Sequence, residues 1–171
     1  DLFKDKLNFK YPGGMGYLPH IDGHFYWRDK KNAKRLGWKV YSNNFINFVI
    51  PLEKSDTANG CLYVSNKNNT KKLGNNWKDI TNKLDTFTPN IKKIYLKKFS
   101  FKPTILAVGD ILLFDWLCAH KSSKNLSSKS RMIFYATYCK KNKRFRNVRK
   151  KYYFDKQFSK NNEKIKSLQF N

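Results

Sequence analysis

The apolar runs of this chain are short, and most of them alternate or are rich in β-branched and aromatic residues. That confines the chain to architectures built from strands. Arg131 to Cys139 reads as one strand and Phe45 to Leu52 as a second, buried one. In the first ten residues, Phe3, Asp5, Leu7 and Phe9 alternate with Lys4, Lys6, Asn8 and Lys10. On a two-residue period the mainly apolar set is expected to face a core and the polar set to face water. Pro12-Gly13-Gly14 then turns the chain. Tyr17 to Asp22, Cys61 to Val64 and Ile94 to Phe101 read as further strands, and Ile105–Val108 and Ile111–Phe114 as two strands around a tight turn at Gly109-Asp110. Lys54 to Gly60 and the Asn- and Lys-rich stretch Ser65 to Asn76 read as loops, and Trp77 to Leu84 as a short helix. The tail from Lys140 is basic and aromatic, without a clear period. Many short strands, turn signals and little helix predict a mainly β fold, a closed or double-sheet barrel such as a jelly roll.

A length of 171 residues suits one domain with a real core, spanning 1–171, with 140–171 as a basic tail on or beside the barrel. Hydrophobic residues at 40% exclude a disordered segment. Asp1 opens the chain with no charged-then-apolar leader, and the most apolar stretch, Ile105 to Cys118, is interrupted by Gly109-Asp110 and Asp115. The expectation is a cytoplasmic protein with no membrane partner. The three cysteines, Cys61, Cys118 and Cys139, form no C-x-x-C pair, so reduced, buried thiols are expected rather than disulfides or a zinc cluster.

A formal charge of +24 is the usual mark of a nucleic-acid or anionic-membrane partner. Of the 36 basic residues, however, 30 are Lys, scattered along the whole chain, and Asn numbers 19. Lys, Asn, Ile, Phe and Tyr are what an AT-rich genome favours. A phosphate-gripping surface would use more Arg, whose planar fork matches phosphate. Nucleic acid is therefore not the expected partner, although the densest run, Lys140 to Lys151, would attract polyanions in a salt-dependent way.

The chemistry lies in Pro19-His20-Ile21-Asp22-Gly23, with His120 and Arg131 far downstream. On a strand, residues i and i+2 share a face, so His20 and Asp22 point together while Ile21 points away. Two imidazoles and a carboxylate leave half of an octahedral iron(II) open. Arginine is the side chain best suited to grip a carboxylate through two parallel hydrogen bonds. H-x-D alone is weak, because it occurs by chance in many proteins. The longer order, Gly109-Asp110, an apolar strand, His120, a Ser/Asn-rich loop and Arg131 opening another strand, is more specific. His24, four residues after His20, would make a two-histidine zinc face on a helix; Pro19 and Gly23 argue against a helix, leaving it to line the pocket or to support a ligand from behind.

These residues resemble the phytanoyl-CoA dioxygenase family of iron(II)- and 2-oxoglutarate-dependent oxygenases. The likeness runs in order through Phe3–Lys10, Pro12-Gly13-Gly14, Pro19–Asp22, Asn59–Val64, Gly109–Phe114, His120–Asn125 with Ser128 and Arg131, and Tyr152–Lys156. The resemblance implies a double-stranded β-helix with the metal inside. It implies His20, Asp22 and His120 as iron ligands, and Arg131, helped by the Ser122 hydroxyl, as the partner of the distal carboxylate of 2-oxoglutarate. The implied reaction hydroxylates a small-molecule substrate with dioxygen while 2-oxoglutarate is decarboxylated to succinate. Ile21 stands where many members have Gln, and Ser65-Asn66-Lys67-Asn68 replaces the family's Pro-Gly-Ser-His. Members also carry several dozen mostly helical residues before the equivalent of Asp1, so a missing N-terminal segment is expected.

Competing readings make distinct demands. Halogenating relatives replace the ligand carboxylate with a small residue, but Asp22 is present. Nucleic-acid demethylases of this fold carry two arginines six apart on the last strand, but position 137 is Thr. A catalytically inactive basic β-barrel that binds nucleic acid or another polyanion predicts that His20 and Asp22 are replaceable without effect. A zinc hydrolase using His20, His24 and His120 lacks a general base beyond Asp22. Tyr11, Tyr17, Phe25, Tyr26 and Trp27 are candidate pocket residues, although aromatics in a β-barrel are more often core.

Overall fold

The computed structural model describes residues 1–23, 26–29, 31, 33–73 and 90–157, and among these it forms nine strands, three α-helices and one 3-10 turn. The larger sheet is four-stranded and antiparallel in the order β1-β9-β4-β7, from β1 (Leu2–Lys10), β9 (Arg131–Cys139), β4 (Phe45–Pro51) and β7 (Leu112–Asp115). The smaller sheet runs β6-β5-β8, from β6 (Lys102–Pro103), β5 (Leu62–Val64) and β8 (His120–Ser122). A separate hairpin pairs β2 (Tyr26–Arg28) with β3 (Lys34–Leu36). Val49, Phe114 and Ile133 of the larger sheet pack with Leu62, Leu106 and Cys118 of the smaller side in one buried cluster. Two sheets closed over a shared apolar interior give the mainly β, jelly-roll architecture that the strand pattern predicts.

β4 and β9 form where the sequence is most β-branched and aromatic, and their bounds match expectation to within one residue. The facing of β1 does not. Its pairing with β9 slips by one residue between Leu2 and Lys4, and beyond that point Lys4, Lys6, Asn8 and Lys10 stand opposite Thr137, Tyr135, Ile133 and Arg131. Directly opposed residues share a face, and Arg131, Ile133 and Thr137 are buried. The polar set therefore shares their side of the sheet, with Lys10 buried, Lys4 and Asn8 half-buried and Lys6 exposed. Phe3 is fully buried before the slip, whereas Leu7 and Phe9 are 47% and 49% exposed. A bulge places two residues against one and reverses the alternation after it, which a two-residue period read from sequence alone does not register.

Other differences have local causes. Tyr17 to Asp22 does not form a strand; only His20 pairs, in a single antiparallel bridge with His120. Within the expected loop Ser65–Asn76, Asn66 accepts from Asn68 N at 2.8 Å and caps α1 (Lys67–Lys71), and Thr70 donates its hydroxyl to Leu117 O at 2.6 Å. Ile94–Phe101 is not a strand: α2 (Lys93–Leu96) forms there. Ile91, Tyr95 and Phe99, spaced by four, turn one side onto Ile21, Leu73 and Ala119. Of Ile105–Val108 only Leu106 pairs, in a bridge to Ser55. The tail from Lys140 contains α3 (Val148–Gln157), which packs on β1 through Tyr152 and Phe3, with ring centroids 4.5 Å apart. The helix expected over Trp77–Leu84, and His24 and Phe25, lie outside the described residues.

Cys61, Cys118 and Cys139 are free and buried, as expected. No helix among the described residues is long and apolar enough to cross a membrane.

Candidate metal centre

His20 and His120 meet because their backbones do. Each N–H donates to the other's carbonyl at 2.9 Å, which adds the His20 segment to the edge of β8. Their ring centroids stand 4.2 Å apart. Two residues on, Asp22 turns its carboxylate toward both, with Oδ2 3.9 Å from His120 Nε2. One nitrogen or oxygen from each of His20, Asp22 and His120 lies within 4.8 Å of the other two, the only such set found among the described residues.

The orientation of each ring is fixed from behind. Nδ1 of His20 meets Leu18 O at 2.7 Å and Nδ1 of His120 meets Cys118 O at 3.0 Å, so both rings carry their proton there and turn Nε2 inward. Burial, and then the neighbouring His120, lower His20 to about 3, which keeps its imidazole neutral with a lone pair to donate. Burial by itself would raise Asp22, but Lys4, His120, His20 and Lys6 outweigh it and hold the carboxyl at about 2. Asn47 on β4 donates from Nδ2 to Asp22 Oδ2 at 2.9 Å, and its own Oδ1 accepts from the Thr137 hydroxyl at 2.7 Å. Two imidazoles that turn Nε2 inward and one ionised carboxylate, each oriented by a partner behind it, fit a divalent cation with open positions.

A second feature lies further along β1 and β9. Arg131 is 1% exposed and Lys10 4%, and the two are register partners. Arg131 donates to Gly60 O at 3.0 Å and Asn8 Oδ1 at 2.9 Å, while its Nε is buried without a partner. Lys10 donates to Gly60 O at 3.1 Å, Ser122 Oγ at 3.0 Å and Ser123 O at 2.6 Å. No carboxylate among the described residues pairs with either cation. Burial, and then Arg131, lower the Lys10 ammonium to about 8. Two buried, unneutralised cations side by side are costly unless a ligand anion completes them. Gly60 makes the arrangement possible. At φ +79° a Cβ there would stand 2.5 Å from Ser123 O and 3.1 Å from Lys10 Nζ.

Five of the residues singled out in the sequence thus line one interior: His20, Asp22 and His120 together, and Arg131 and Ser122 beside Lys10. Ile21 points away into an apolar cluster, as expected. Sequence reasoning missed Asn47 and Lys10, and weighed Thr137 only as the residue standing where a second arginine would be. Asn47 carries a weak signal in retrospect, as the polar residue at the centre of the apolar run Phe45–Leu52.

A sequence profile of the phytanoyl-CoA dioxygenase family matches residues 1–133. Among curated proteins the chain is 29% identical over 137 residues to a 2-aminoethylphosphonate dioxygenase of an uncultured bacterium, covering 80% of this chain and 45% of that protein. It is 28% identical over 137 residues to a methylphosphonate hydroxylase of Gimesia maris, covering 80% of this chain and 44% of that protein. The chain thus spans less than half the length of these relatives. Among solved structures it is similar to the epimerase SnoN in complex with Fe3+, alpha ketoglutarate and nogalamycin RO, with TM-score 0.57, 14% identity, and coverage of 81% of this chain and 49% of that one. At that identity the likeness is one of fold.

Proposed function

Because the chain belongs to the phytanoyl-CoA dioxygenase family, we propose that it acts as an iron(II)- and 2-oxoglutarate-dependent dioxygenase on a small-molecule substrate. The carrying observation is the coexistence, in one interior, of a His-Asp-His set with ligand atoms within 4.8 Å and a buried Arg131–Lys10 pair that lacks a counter-anion.

His20, Asp22 and His120 would hold the iron through Nε2, a carboxylate oxygen and Nε2. With dioxygen and 2-oxoglutarate bound, the metal supplies the oxidation of a C–H group to C–OH, balanced by conversion of the keto acid to succinate and carbon dioxide. The chain's own part is positional. Leu18 O and Cys118 O hold the imidazole protons at Nδ1, and Asn47 keeps the Asp22 carboxylate turned inward. Arg131 and Lys10 would take the distal carboxylate of 2-oxoglutarate. The Ser122 hydroxyl accepts from Lys10 Nζ and Tyr17 N at 3.0 Å, which leaves its own proton for the ligand. Val49, Leu62, Phe114 and Ile133 form an apolar floor that excludes water from the reacting groups. Three buried free thiols suit a reducing compartment, so we place the reaction in the cytoplasm. Two relatives are named for phosphonates, which makes a short alkylphosphonate the first substrate to assay.

The test is metal-dependent binding of 2-oxoglutarate by anaerobic calorimetry, followed by succinate release in air. Binding of 2-oxoglutarate only when ferrous iron is present supports the reading. His120→Ala should abolish metal binding, and Arg131→Ala should raise the 2-oxoglutarate requirement by roughly tenfold or more with a smaller effect on kcat. A chain that binds neither metal nor keto acid overturns it.

A further inference from the structure

We propose that Lys4 and Lys6 form a subsite for a tetrahedral oxyanion on the primary substrate, separate from the subsite that Arg131 and Lys10 offer the keto acid. The proposal rests on the dioxygenase reading above and adds the residues that would select the substrate.

The slip in β1 turns both lysines to the same side as the buried Thr137 and Arg131, with Lys4 half-buried and Lys6 exposed. Lys4 stands in one row with Thr137 and Asn47, the pair whose hydrogen bonds end on Asp22. Its ammonium lies 4.0 Å from the Trp38 ring centroid, and Trp38 packs against Gly23, the residue after Asp22. Lys6 occupies the next row, opposite Tyr135, with its ammonium 5.2 Å from that ring and 5.3 Å from Tyr17; the Tyr17 and His20 rings are 6.3 Å apart. The two lysines therefore flank the Asp22 and His20 sides of the triad. Asp22 and Lys6 both act electrostatically on Lys4, and Lys156 on α3 acts on both lysines.

The keto acid does not account for this charge. Lys6 and Lys10 are four residues apart on one strand, about 13 Å, and the distal carboxylate is already matched at the Lys10 end. Protein acids cover it only in part: Asp22, the one carboxylate that acts with both ammonium groups, is shared with the two imidazoles. Asp22 is committed to the triad. Asp5 pairs with Arg149 at 2.5 Å, and Asp155 accepts from Tyr41 at 2.9 Å and pairs with Lys151. Neither Lys4 nor Lys6 forms an ion pair among the described residues. Lysine also suits the geometry of the ligand. Two compact ammonium charges converge on a tetrahedral dianion, whereas a planar carboxylate is better gripped by an arginine fork. Trp38 holds the half-buried Lys4 ammonium, and Tyr17 and Tyr135 the exposed Lys6 ammonium, through their ring faces.

The experiment is anaerobic calorimetry of the whole chain with methylphosphonate, with acetate and with 2-oxoglutarate. The variants are Lys4→Gln/Lys6→Gln, Lys6→Gln alone, Lys6→Arg and Arg131→Gln. Methylphosphonate should bind the double variant at least about tenfold more weakly. Lys6→Gln changes an exposed position, so it keeps the fold and isolates the charge; Lys6→Arg should recover most of the affinity. Arg131→Gln should lose 2-oxoglutarate and leave methylphosphonate within about threefold, and acetate should bind more weakly than methylphosphonate throughout. The proposal is overturned if both lysine variants bind methylphosphonate as the wild type does, if the loss appears in Arg131→Gln instead, or if acetate binds equally well. A wild type that fails to bind 2-oxoglutarate removes the dioxygenase reading, and the methylphosphonate titration still decides the subsite.

Discussion

Asn47 reaches Asp22 across 2.9 Å from the opposite sheet, and no backbone contact orients that carboxylate among the described hydrogen bonds. The amide is itself held by the Thr137 hydroxyl at 2.7 Å. Asn47→Ala should therefore lower metal affinity by roughly 10–100-fold while leaving the fold intact. A chelator competition titration reads this directly. Thr137→Val should have a weaker effect on metal but cost about 1–3 kcal/mol of stability, because it leaves the Asn47 oxygen buried without a donor.

Lys10 supplies a pH dependence whose sign is fixed. Its ammonium titrates at about 8 in the folded chain against an ordinary value of 10.5. Between those values the unfolded chain keeps a proton that the folded chain has lost, so this residue makes folding more favourable as pH rises through the window. In Lys10→Met that contribution is absent. The difference in Tm between wild type and Lys10→Met should thus shift in favour of the wild type from pH 8 to 10. Affinity for 2-oxoglutarate should fall over the same interval, because the deprotonated amine no longer attracts the carboxylate. A constant Tm difference would remove Lys10 as the titrating group.

The same residue shows where the sequence stops being legible. His20, Asp22 and His120 are readable because metal ligation demands particular residue types, and those types are scarce in this chain. Arg131 is readable because it opens an apolar strand in a chain with six arginines. Lys10 is one of thirty lysines, and its burial follows from a one-residue slip in pairing that no local pattern encodes. The strands β4 and β9 were legible because their composition and their burial agree. Ile94–Phe101 was not, because a β-branched and aromatic run can also lay residues four apart onto one side of a helical turn, and packing on Ile21 decides between them.

Gly60 joins the two buried cations Arg131 and Lys10. Its carbonyl accepts from both Arg131 and Lys10, and its φ of +79° is one that side chains rarely adopt. Gly60→Ala adds backbone strain of about 1–3 kcal/mol and drives a methyl group toward Ser123 O. The expected outcome is a lower Tm, with a further loss of 2-oxoglutarate affinity measured below that Tm. Unchanged keto-acid binding in a folded Gly60→Ala variant would separate this carbonyl from the carboxylate site.

The facing of β1 is itself testable by two truncations on one strand. Phe3 is fully buried, with ring centroids 5.0 Å from Phe45, 5.3 Å from Trp38 and 4.5 Å from Tyr152, so it joins both the sheet and α3. Phe3→Ala should cost about 3–5 kcal/mol, the range for an aromatic lost from a packed core. Leu7 belongs to the same set in a strict alternation, yet it is 47% exposed on the outer face. Leu7→Ala should cost well under about 1.5 kcal/mol. Urea unfolding of both variants measures the contrast. Comparable losses would restore Phe3, Leu7 and Phe9 to one buried face, turn Lys4, Lys6 and Lys10 toward solvent, and so detach every cation on β1 from the interior.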